Sequence, residues 1–347
     1  MLAFDYKMES GAIVPSFIRQ LELCNVKAGD TVVFLTDEAS PRELVAAGLG
    51  ACVAIKAVGY EIRVPHPPGA KFVGANPVDA PWLADALRNE ILVVSFMLGF
   101  FSAWELAVRQ AGGRILNILD IPQMLLKLQG DEDLKRVTVA AADQLNATKS
   151  VRVTSAFGTD FTYEVDHELG AVAHYGFADH PGHMDQWGQG MAACFPVEGS
   201  TRGKVVARPG DIWALPYTRI LRSEIIFEIE DGHIVDIQGG DDADLARTYL
   251  AESRTSDDDR DPYAVSHLGW GLHPNATYDD VINYDGRVDH LVALIRSLPG
   301  SFLFSTGPSP RRKTRGHIDM PLMGCTVTLD NREVVKDGRI TDAAMIA

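Results

Sequence analysis

Apolar and polar residues alternate with helical and with strand periods in turn along residues 1–148. Short apolar or β-branched runs predict strands at 31–35, 60–64, 91–96 and 115–119. Segments with helical spacing lie around and between them, at 15–23, 40–58, 81–89, 103–110, 122–128 and 131–145. Because parallel strands need crossover connections, which are usually helices, this order predicts a doubly wound α/β domain whose parallel sheet is covered on both faces.

The pattern changes after residue 149. Turn sequences then recur at the spacing of short strands, at 158–160, 209–211, 231–232, 330–331 and 337–338. The segments that flank 231–232 alternate as antiparallel hairpins do, and helices are predicted at 243–250 and 288–298. We therefore expect a parallel-sheet α/β domain at 1–148, followed by a β-rich α+β domain at 149–347.

The composition is that of a soluble globular protein, with 46% hydrophobic and 23% charged residues. A net charge of −15 argues against nonspecific binding to nucleic acid or to an anionic membrane, so we expect a small substrate. The N-terminal sequence lacks a secretory pattern, and the apolar stretch 91–104 is too short to span a bilayer. Four widely spaced cysteines fit a reducing compartment, which predicts a cytoplasmic enzyme. No GxGxxG follows the predicted strands, so no dinucleotide site is predicted.

Two short patterns contain candidate metal ligands. His317 and Asp319 would point to the same face of a strand and could bind one cation, although such a pair is common by chance. In 266–274, alternate glycines suggest close approach of a ligand, a backbone or a bulge. His267 or His273 could face a cleft there, or be a core imidazole bonded to backbone, and the spacing does not separate them. Two imidazoles with one carboxylate form the ligand set of non-haem ferrous oxygenases, but zinc hydrolases also use these groups.

Three further stretches carry polar chemistry. Residues 174–187 are dense in groups that transfer protons or bind a heterocycle, with a polar loop over the domain interface as the alternative. The apolar strand at 302–308 contains the hydroxyl pair Ser305 and Thr306. A basic run follows it, made of Arg311, Arg312, Lys313 and Arg315. Such runs are usually solvated, but beside a metal this one could hold an anionic substrate.

At these residues the sequence resembles the bacterial 2,5-dihydroxypyridine 5,6-dioxygenases, which are related to the aminopeptidase T-like metallopeptidases. The resemblance covers most of the chain and is densest after residue 150. Its motifs are GTDF at 158–161, YGFAD at 175–179, GDI at 210–212, SHLGWGL at 266–272, FLFSTGP at 302–308 and HID at 317–319. Several long matches in the same order are far more specific than the HxD pair alone.

The resemblance implies that His267, His317 and Asp319 bind Fe(II), and that Arg296 and Ser305 line the substrate pocket. The peptidase branch is similar in layout but has glutamate at the place of His267 and holds two metals. Exchange of that carboxylate for imidazole reduces the negative charge and favours a single, softer metal. The resemblance therefore favours an oxygenase over a peptidase.

Two positions depart from the family pattern. The dioxygenases have glutamate at the place of His174 and histidine at the place of Gln186, positions associated there with substrate binding and proton transfer. Either the two side chains have exchanged duties, with His174 as the acid–base group and Gln186 as the orienting group, or the pocket takes a different hydroxylated ring.

Taken together, the resemblance implies a non-haem Fe(II) dioxygenase of the extradiol type that cleaves a hydroxylated pyridine with O₂. The best single substrate is 2,5-dihydroxypyridine, with N-formylmaleamic acid as the product, as in nicotinate degradation. The family also suggests a homo-oligomer. The alternatives are a metal-dependent aminopeptidase of the related branch and a catalytically inert binding protein on the same fold.

Overall fold

The computed structural model describes residues 10–65, 81–89, 91–97, 102–283 and 291–347. The chain divides into two units, residues 1–131 with 175–189 and residues 132–174 with 190–347. The boundary expected between residues 148 and 149 falls inside the second unit. The reason is that the helix Glu132–Asn146 packs on two strands of that unit, Val172–His174 and Met191–Cys194.

The first unit contains one parallel sheet. Its strands are β1 (Thr31–Thr36), β2 (Val58–Arg63), β3 (Leu92–Ser95), β4 (Arg114–Asn117) and β8 (Met184–Gln186). Its helices are α1 (Ser10–Leu23), α2 (Arg42–Ala54), α3 (Pro81–Leu87), α4 (Ala103–Gln110) and α5 (Pro122–Lys127). The strand order is β2-β1-β3-β4-β8, with every neighbouring pair parallel. The order reverses between β1 and β3, as in doubly wound folds, and the predicted parallel-sheet α/β fold is confirmed.

Two details of this unit differ from the prediction. Helix α2 ends at Ala54 instead of near residue 58, because Lys56 adopts a left-handed φ of 61° and the chain turns into β2. The amide of Ala57 donates to Cys52 O at 2.8 Å and closes the helix. Strand β8 was not predicted, since its three residues are mostly polar and only pairing with β4 makes them a strand.

The second unit is β-rich. Its strands are β5 (Ser150–Ser155), β6 (Asp160–Glu164), β7 (Val172–His174), β9 (Met191–Cys194), β10 (Arg202–Ala207), β11 (Ile212–Trp213), β12 (Arg219–Ile220), β13 (Ile225–Glu230), β14 (His233–Gly239), β15 (Leu268–Gly271), β16 (Phe302–Ser305), β17 (Asp319–Leu322), β18 (Cys325–Leu329), β19 (Arg332–Lys336) and β20 (Arg339–Ile340). Its helices are α6 (Glu132–Asn146), α7 (Asp241–Glu252), α8 (Tyr278–Ile282) and α9 (Val292–Arg296), with 3₁₀ turns at Asp261–Tyr263 and Ala343–Met345. Of the helix predicted at 288–298, residues 288–290 lie outside the described residues.

The strands of this unit form antiparallel sheets, as predicted. One has the order β14-β13-β10-β6-β5-β18-β19-β20, a second has the order β17-β16-β15-β9-β7, and β11 pairs with β12. The predicted turn at 231–232 joins β13 and β14, with φ of 45° at Asp231 and 84° at Gly232. Positive φ at both central residues gives a turn whose twist matches the flanking strands.

Aromatic packing fixes the orientation of β16. Phe304 is fully buried, with its ring centroid 6.1 Å from that of Phe161 and 5.4 Å from that of Phe227. Because side chains alternate along a strand, burial of Phe302 and Phe304 in this core turns Leu303 and Ser305 to the other face. None of the described helices has the length and apolar character needed to cross a membrane.

Candidate metal centre

His267, His317 and Asp319 lie at one end of the five-stranded antiparallel sheet. His267 directly precedes β15, and Asp319 begins β17 two residues after His317. Strand β16 lies between β15 and β17, and its last residue, Ser305, pairs with Asp319. The amide of Ser266 donates to Ser305 O at 2.9 Å, so the segment before β15 reaches the same end of the sheet. The sheet register thus collects residues that are far apart in the sequence.

The three side chains converge. His267 Nε2 lies 3.2 Å and His317 Nε2 lies 3.1 Å from Asp319 Oδ1. The imidazole centroids are 5.5 Å apart with an interplanar angle of 71°. One ligand atom of each residue lies within 4.8 Å of the other two. Since bonds of about 2.1 Å to one ion place neighbouring ligand atoms roughly 3 Å apart, this spacing suits three ligands of a single ion.

Hydroxyl groups determine which nitrogen of His267 faces Asp319. His267 Nδ1 lies 3.2 Å from Ser305 Oγ and 3.3 Å from Ser266 Oγ. The Ser266 hydroxyl donates its one proton to Pro308 O, so it can only accept from the imidazole. We therefore assign the proton of neutral His267 to Nδ1. The lone pair of Nε2 then points towards Asp319 and is available to a metal.

The electrostatics favour the ligand forms of these residues. Burial alone would raise the pKa of Asp319, but the imidazoles of His317 and His267 hold it well below its usual value. Burial lowers the pKa of His267, which favours the neutral imidazole. A carboxylate and neutral imidazole are the forms that bind metal ions, and both are favoured near neutral pH.

Backbone contacts position His317. Its amide donates to the phenol oxygen of Tyr249 in α7 at 2.9 Å, and the phenol donates towards the carbonyls of Arg315 and His317, each at 3.3 Å. Gly307 has a φ of +95°, and a Cβ added there would lie 1.8 Å from Gly316 O. Only glycine allows this close approach between the end of β16 and the segment that carries His317.

The donor set fits one divalent ion. Asp319 Oδ2 is buried and accepts no hydrogen bond from the described residues, although Arg296 Nη1 faces it at 3.6 Å. In the part of the chain that the structure describes, no second carboxylate joins this group. Two imidazoles and one carboxylate suit Fe(II) and also Zn(II). A two-metal peptidase site would need more carboxylates.

Ser305 and Arg296, predicted to line a substrate pocket, both contact the candidate ligands. Ser305 contacts His267, as described above, and Arg296 is buried on α9 with Nε donating to Val292 O at 3.3 Å. His273, which the spacing could not separate from His267, is not in the group. It is buried, and its Nδ1 accepts from the Asn275 amide at 3.2 Å.

The two residues that depart from the family pattern lie on separate strands. His174 ends β7 in the second unit and pairs with Met191. Gln186 ends β8 in the first unit and pairs with Asn117. Its backbone amide donates to Asp185 Oδ1 at 2.7 Å. Neither belongs to the metal-ligand group, and their roles remain predictions.

Two members of the basic run are bound within the second unit. Arg311 forms ion pairs with Asp166 and Glu168. Arg312 donates from Nε to Gly307 O at 2.8 Å and from Nη2 to Val265 O at 3.0 Å. These bonds connect the segment after β16 to the segment before β15. Nothing in the spacing of the sequence indicated this role, nor that of Tyr249, because each depends on a contact between distant segments.

Comparison with known proteins places these features in a wider context. The family model described as 2,5-dihydroxypyridine 5,6-dioxygenase matches residues 12–342. A 2,5-dihydroxypyridine 5,6-dioxygenase from Pseudomonas putida is 33% identical over 346 residues, covering 96% of this chain and 97% of that protein. The solved structure of the 2,5-dihydroxypyridine dioxygenase from Pseudomonas putida KT2440 has a TM-score of 0.90 at 32% identity, and the match covers 97% of this chain and 99% of that one.

A more distant relation is to wild-type AmpT from Thermus thermophilus. Its solved structure has a TM-score of 0.63 at 13% identity, with 96% of this chain and 99% of that chain covered. At this identity the likeness shows a shared fold alone.

Proposed function

The chain belongs to the 2,5-dihydroxypyridine 5,6-dioxygenase family, and we propose that it cleaves the ring of 2,5-dihydroxypyridine with O₂ at a ferrous ion held by His267, His317 and Asp319. The observation that carries the iron assignment is the convergence of two imidazoles and one carboxylate. His267 Nε2, His317 Nε2 and Asp319 Oδ1 would hold the ion, and two imidazoles with one carboxylate are the protein ligands of non-haem ferrous oxygenases. A bound ferrous ion supplies the electron exchange by which O₂ reacts with a closed-shell ring.

The residues around the ligands hold them ready for the ion. Ser266 and Ser305 orient His267 through Nδ1, so no proton has to leave Nε2 before a metal binds. Arg296 faces Asp319 Oδ2, while Oδ1 faces the two imidazoles. The guanidinium therefore favours the charged carboxylate and leaves Oδ1 as the ligand atom.

For the substrate, we propose that the Ser305 hydroxyl and the Arg296 guanidinium bind the hydroxyl oxygen atoms that the pyridine ring carries. The resemblance further assigns proton transfer to His174 and orientation of the ring to Gln186. The product would be N-formylmaleamic acid. The reaction balances without a reductant, because C₅H₅NO₂ and O₂ together make C₅H₅NO₄. The cytoplasmic location and the homo-oligomeric state also remain predictions.

The test is anaerobic reconstitution of the purified chain with ferrous iron. The iron-loaded protein is then mixed with 2,5-dihydroxypyridine in oxygen-saturated buffer. We expect oxygen uptake and loss of ring absorbance in equal amounts, and a panel of other hydroxypyridines reports how strictly the ring is selected. Amino acid release from peptides with zinc, cobalt or manganese, without oxygen uptake, would instead identify a peptidase. No metal retention and no turnover would identify a binding protein.

A further inference from the structure

A second group of potential metal ligands lies wholly within the first unit. Asp179, His180 and His183 each offer one ligand atom within 4.8 Å of the other two. The segment links β7 to β8, and the proposed dioxygenase chemistry uses none of the three residues.

Asp179 Oδ1 is the centre of this group. His180 Nδ1 lies 2.8 Å from it and His183 Nδ1 lies 3.5 Å from it. The two imidazoles are stacked, with centroids 4.3 Å apart and an interplanar angle of 13°. Tyr175 also donates its hydroxyl proton to Asp179 Oδ1 at 2.8 Å. Two imidazole nitrogens and one carboxylate therefore present their ligand atoms to the same small volume.

The backbone of the group is already fixed in place. Asn25 Nδ2 donates to Asp179 O at 2.7 Å, and Arg109 Nε donates to Gly182 O at 2.8 Å. Gly182 has a φ of 76°, and the His183 amide donates to His180 O at 3.1 Å, which closes the turn between the histidines. A site whose backbone is held in this way loses little conformational entropy when an ion binds.

An independent observation concerns the remote nitrogen of His183. Its Nε2 lies 3.8 Å from Oδ2 of Asp185, which is fully buried. Asp185 is itself fixed, because its carboxylate accepts from the amides of Tyr175 at 2.8 Å and Gln186 at 2.7 Å. A carboxylate behind the second nitrogen is the usual arrangement for a metal-binding imidazole. An ion bound at Nδ1 would leave the proton on Nε2, on the side of this carboxylate; in the metal-free chain Nδ1 faces Asp179 Oδ1 at 3.5 Å and the Tyr175 hydroxyl at 3.4 Å.

The exposure of the group provides a path for an ion. The side chain of His180 is 61% exposed, whereas Asp179 and His183 are 9% and 11% exposed. A hydrated ion can therefore reach His180 from solvent and exchange water for the two inner ligands.

We propose that Asp179, His180 and His183 form a second metal site, which binds a borderline divalent ion of the zinc, cobalt or nickel type. Imidazole ligands select these ions over Mg²⁺ and Ca²⁺, which prefer oxygen ligands alone. Water completes the coordination. The ion would join Asp179 to the histidine turn, so that its binding stabilises the first unit against unfolding. This proposal does not depend on the dioxygenase function.

The test is calorimetric titration of the metal-free, full-length chain with zinc chloride. The wild type should bind two equivalents, and the variant H267A/H317A should bind one. Adding H180A to that variant should remove the remaining binding or weaken it by at least about 100-fold, since loss of an outer-shell partner alone costs roughly 10–100-fold. In the same H267A/H317A background, H183A and D179N should act in the same direction, and the zinc-induced rise in melting temperature should disappear with each of them.

His167 provides the matched control, because it is an exposed histidine of the second unit outside both groups. H167A should leave both equivalents and the thermal shift unchanged. H180A decides the outcome, because its exposed side chain can be removed without disturbing the fold, which circular dichroism verifies. If the H267A/H317A variant binds no zinc, or the addition of H180A to it leaves its zinc affinity unchanged, the proposal is overturned; a wild-type protein whose single equivalent survives H267A/H317A and is lost with H180A would instead count against the first site alone.

Discussion

Tyr249 holds the backbone of His317 in place. The His317 amide donates to the phenol oxygen of Tyr249 at 2.9 Å, and the phenol in turn faces the carbonyls of Arg315 and His317. Helix α7 thereby sets the position of a segment that belongs to no strand of the sheet, two residues before Asp319. Removal of the Tyr249 hydroxyl would break this contact and leave the His317 side chain unchanged. The contribution of backbone positioning can therefore be measured without altering the ligand itself.

We expect Tyr249→Phe to lower both stability and metal affinity. The partly buried His317 amide loses its partner, which costs about 1 kcal/mol of unfolding free energy. Metal affinity should fall about tenfold, because the imidazole is less well oriented. Thermal unfolding and iron titration of the metal-free protein measure the two effects. Tyr217→Phe, in the ring that packs against Tyr249, is the control and should leave iron affinity unchanged.

Replacement of His317 with alanine should abolish iron retention and oxygen uptake while the fold remains. Its side chain is 22% exposed and lies outside regular secondary structure, so little packing is lost. Iron content after gel filtration and oxygen-electrode traces provide the measurement. His233→Ala, on β14, is the control histidine. Full oxygen uptake in the His317 variant would refute the assignment of this ligand.

The hydroxyl of Ser305 should contribute to metal affinity through His267. Ser305→Ala removes one of two oxygens at Nδ1, and we expect affinity for iron to fall about 10–100-fold. Ser301→Ala is the matched control at the other end of β16, where the hydroxyl donates to Leu298 O. Equal affinities in the two variants would show that Ser305 has no part in orienting the imidazole.

Gly307→Ala should destabilise the chain more than a strained turn alone would. The positive φ by itself costs roughly 1–2 kcal/mol for a residue with a Cβ. The added methyl group also collides with Gly316 O, which is backbone and cannot rotate away. Gly158→Ala separates the two effects, because it has a φ of +105° but its Cβ would meet only Val206 Cγ2 at 3.6 Å. In chemical unfolding, the Gly307→Ala variant should have a lower unfolding free energy than the Gly158→Ala variant. The opposite order would contradict the predicted collision.

Protonation of Asp242 should account for part of the loss of folding stability at low pH. Burial alone would raise its pKa, but the amides of Ser223 and Arg222 and the charge of Arg219 hold the pKa below its usual value. A depressed pKa gives stability that is present above the pKa of the unfolded chain, about 3.9, and is lost as the pH falls through the lower folded value. Asp242→Asn should therefore cost about 2 kcal/mol at pH 7 and progressively less below pH 4. Urea unfolding across pH 3–7 measures this, with the exposed neighbour Asp241→Asn as the control.

The sequence predicted the order and kind of most elements because periodicity and turn preferences are local properties. The run at 91–96 forms β3, and the Asp231–Gly232 pair forms the hairpin turn between β13 and β14. The sequence prediction placed the end of α2 too late, because Lys56 adopts a positive φ although it is not a glycine. It also missed β8, whose residues are a strand only because β4 offers free backbone groups beside them.

The residues of the candidate site also fall into those that the sequence indicated and those that only the tertiary structure identified. Residue type and spacing indicated the pair His317 and Asp319, and the family resemblance implied His267 as the third ligand. Spacing alone could not choose between His267 and His273, or name Tyr249, Ser266 and Arg312 as residues that hold the site. Those choices follow from sheet register and from the contacts of segments distant in the chain, and such contacts are determined only when the whole core packs.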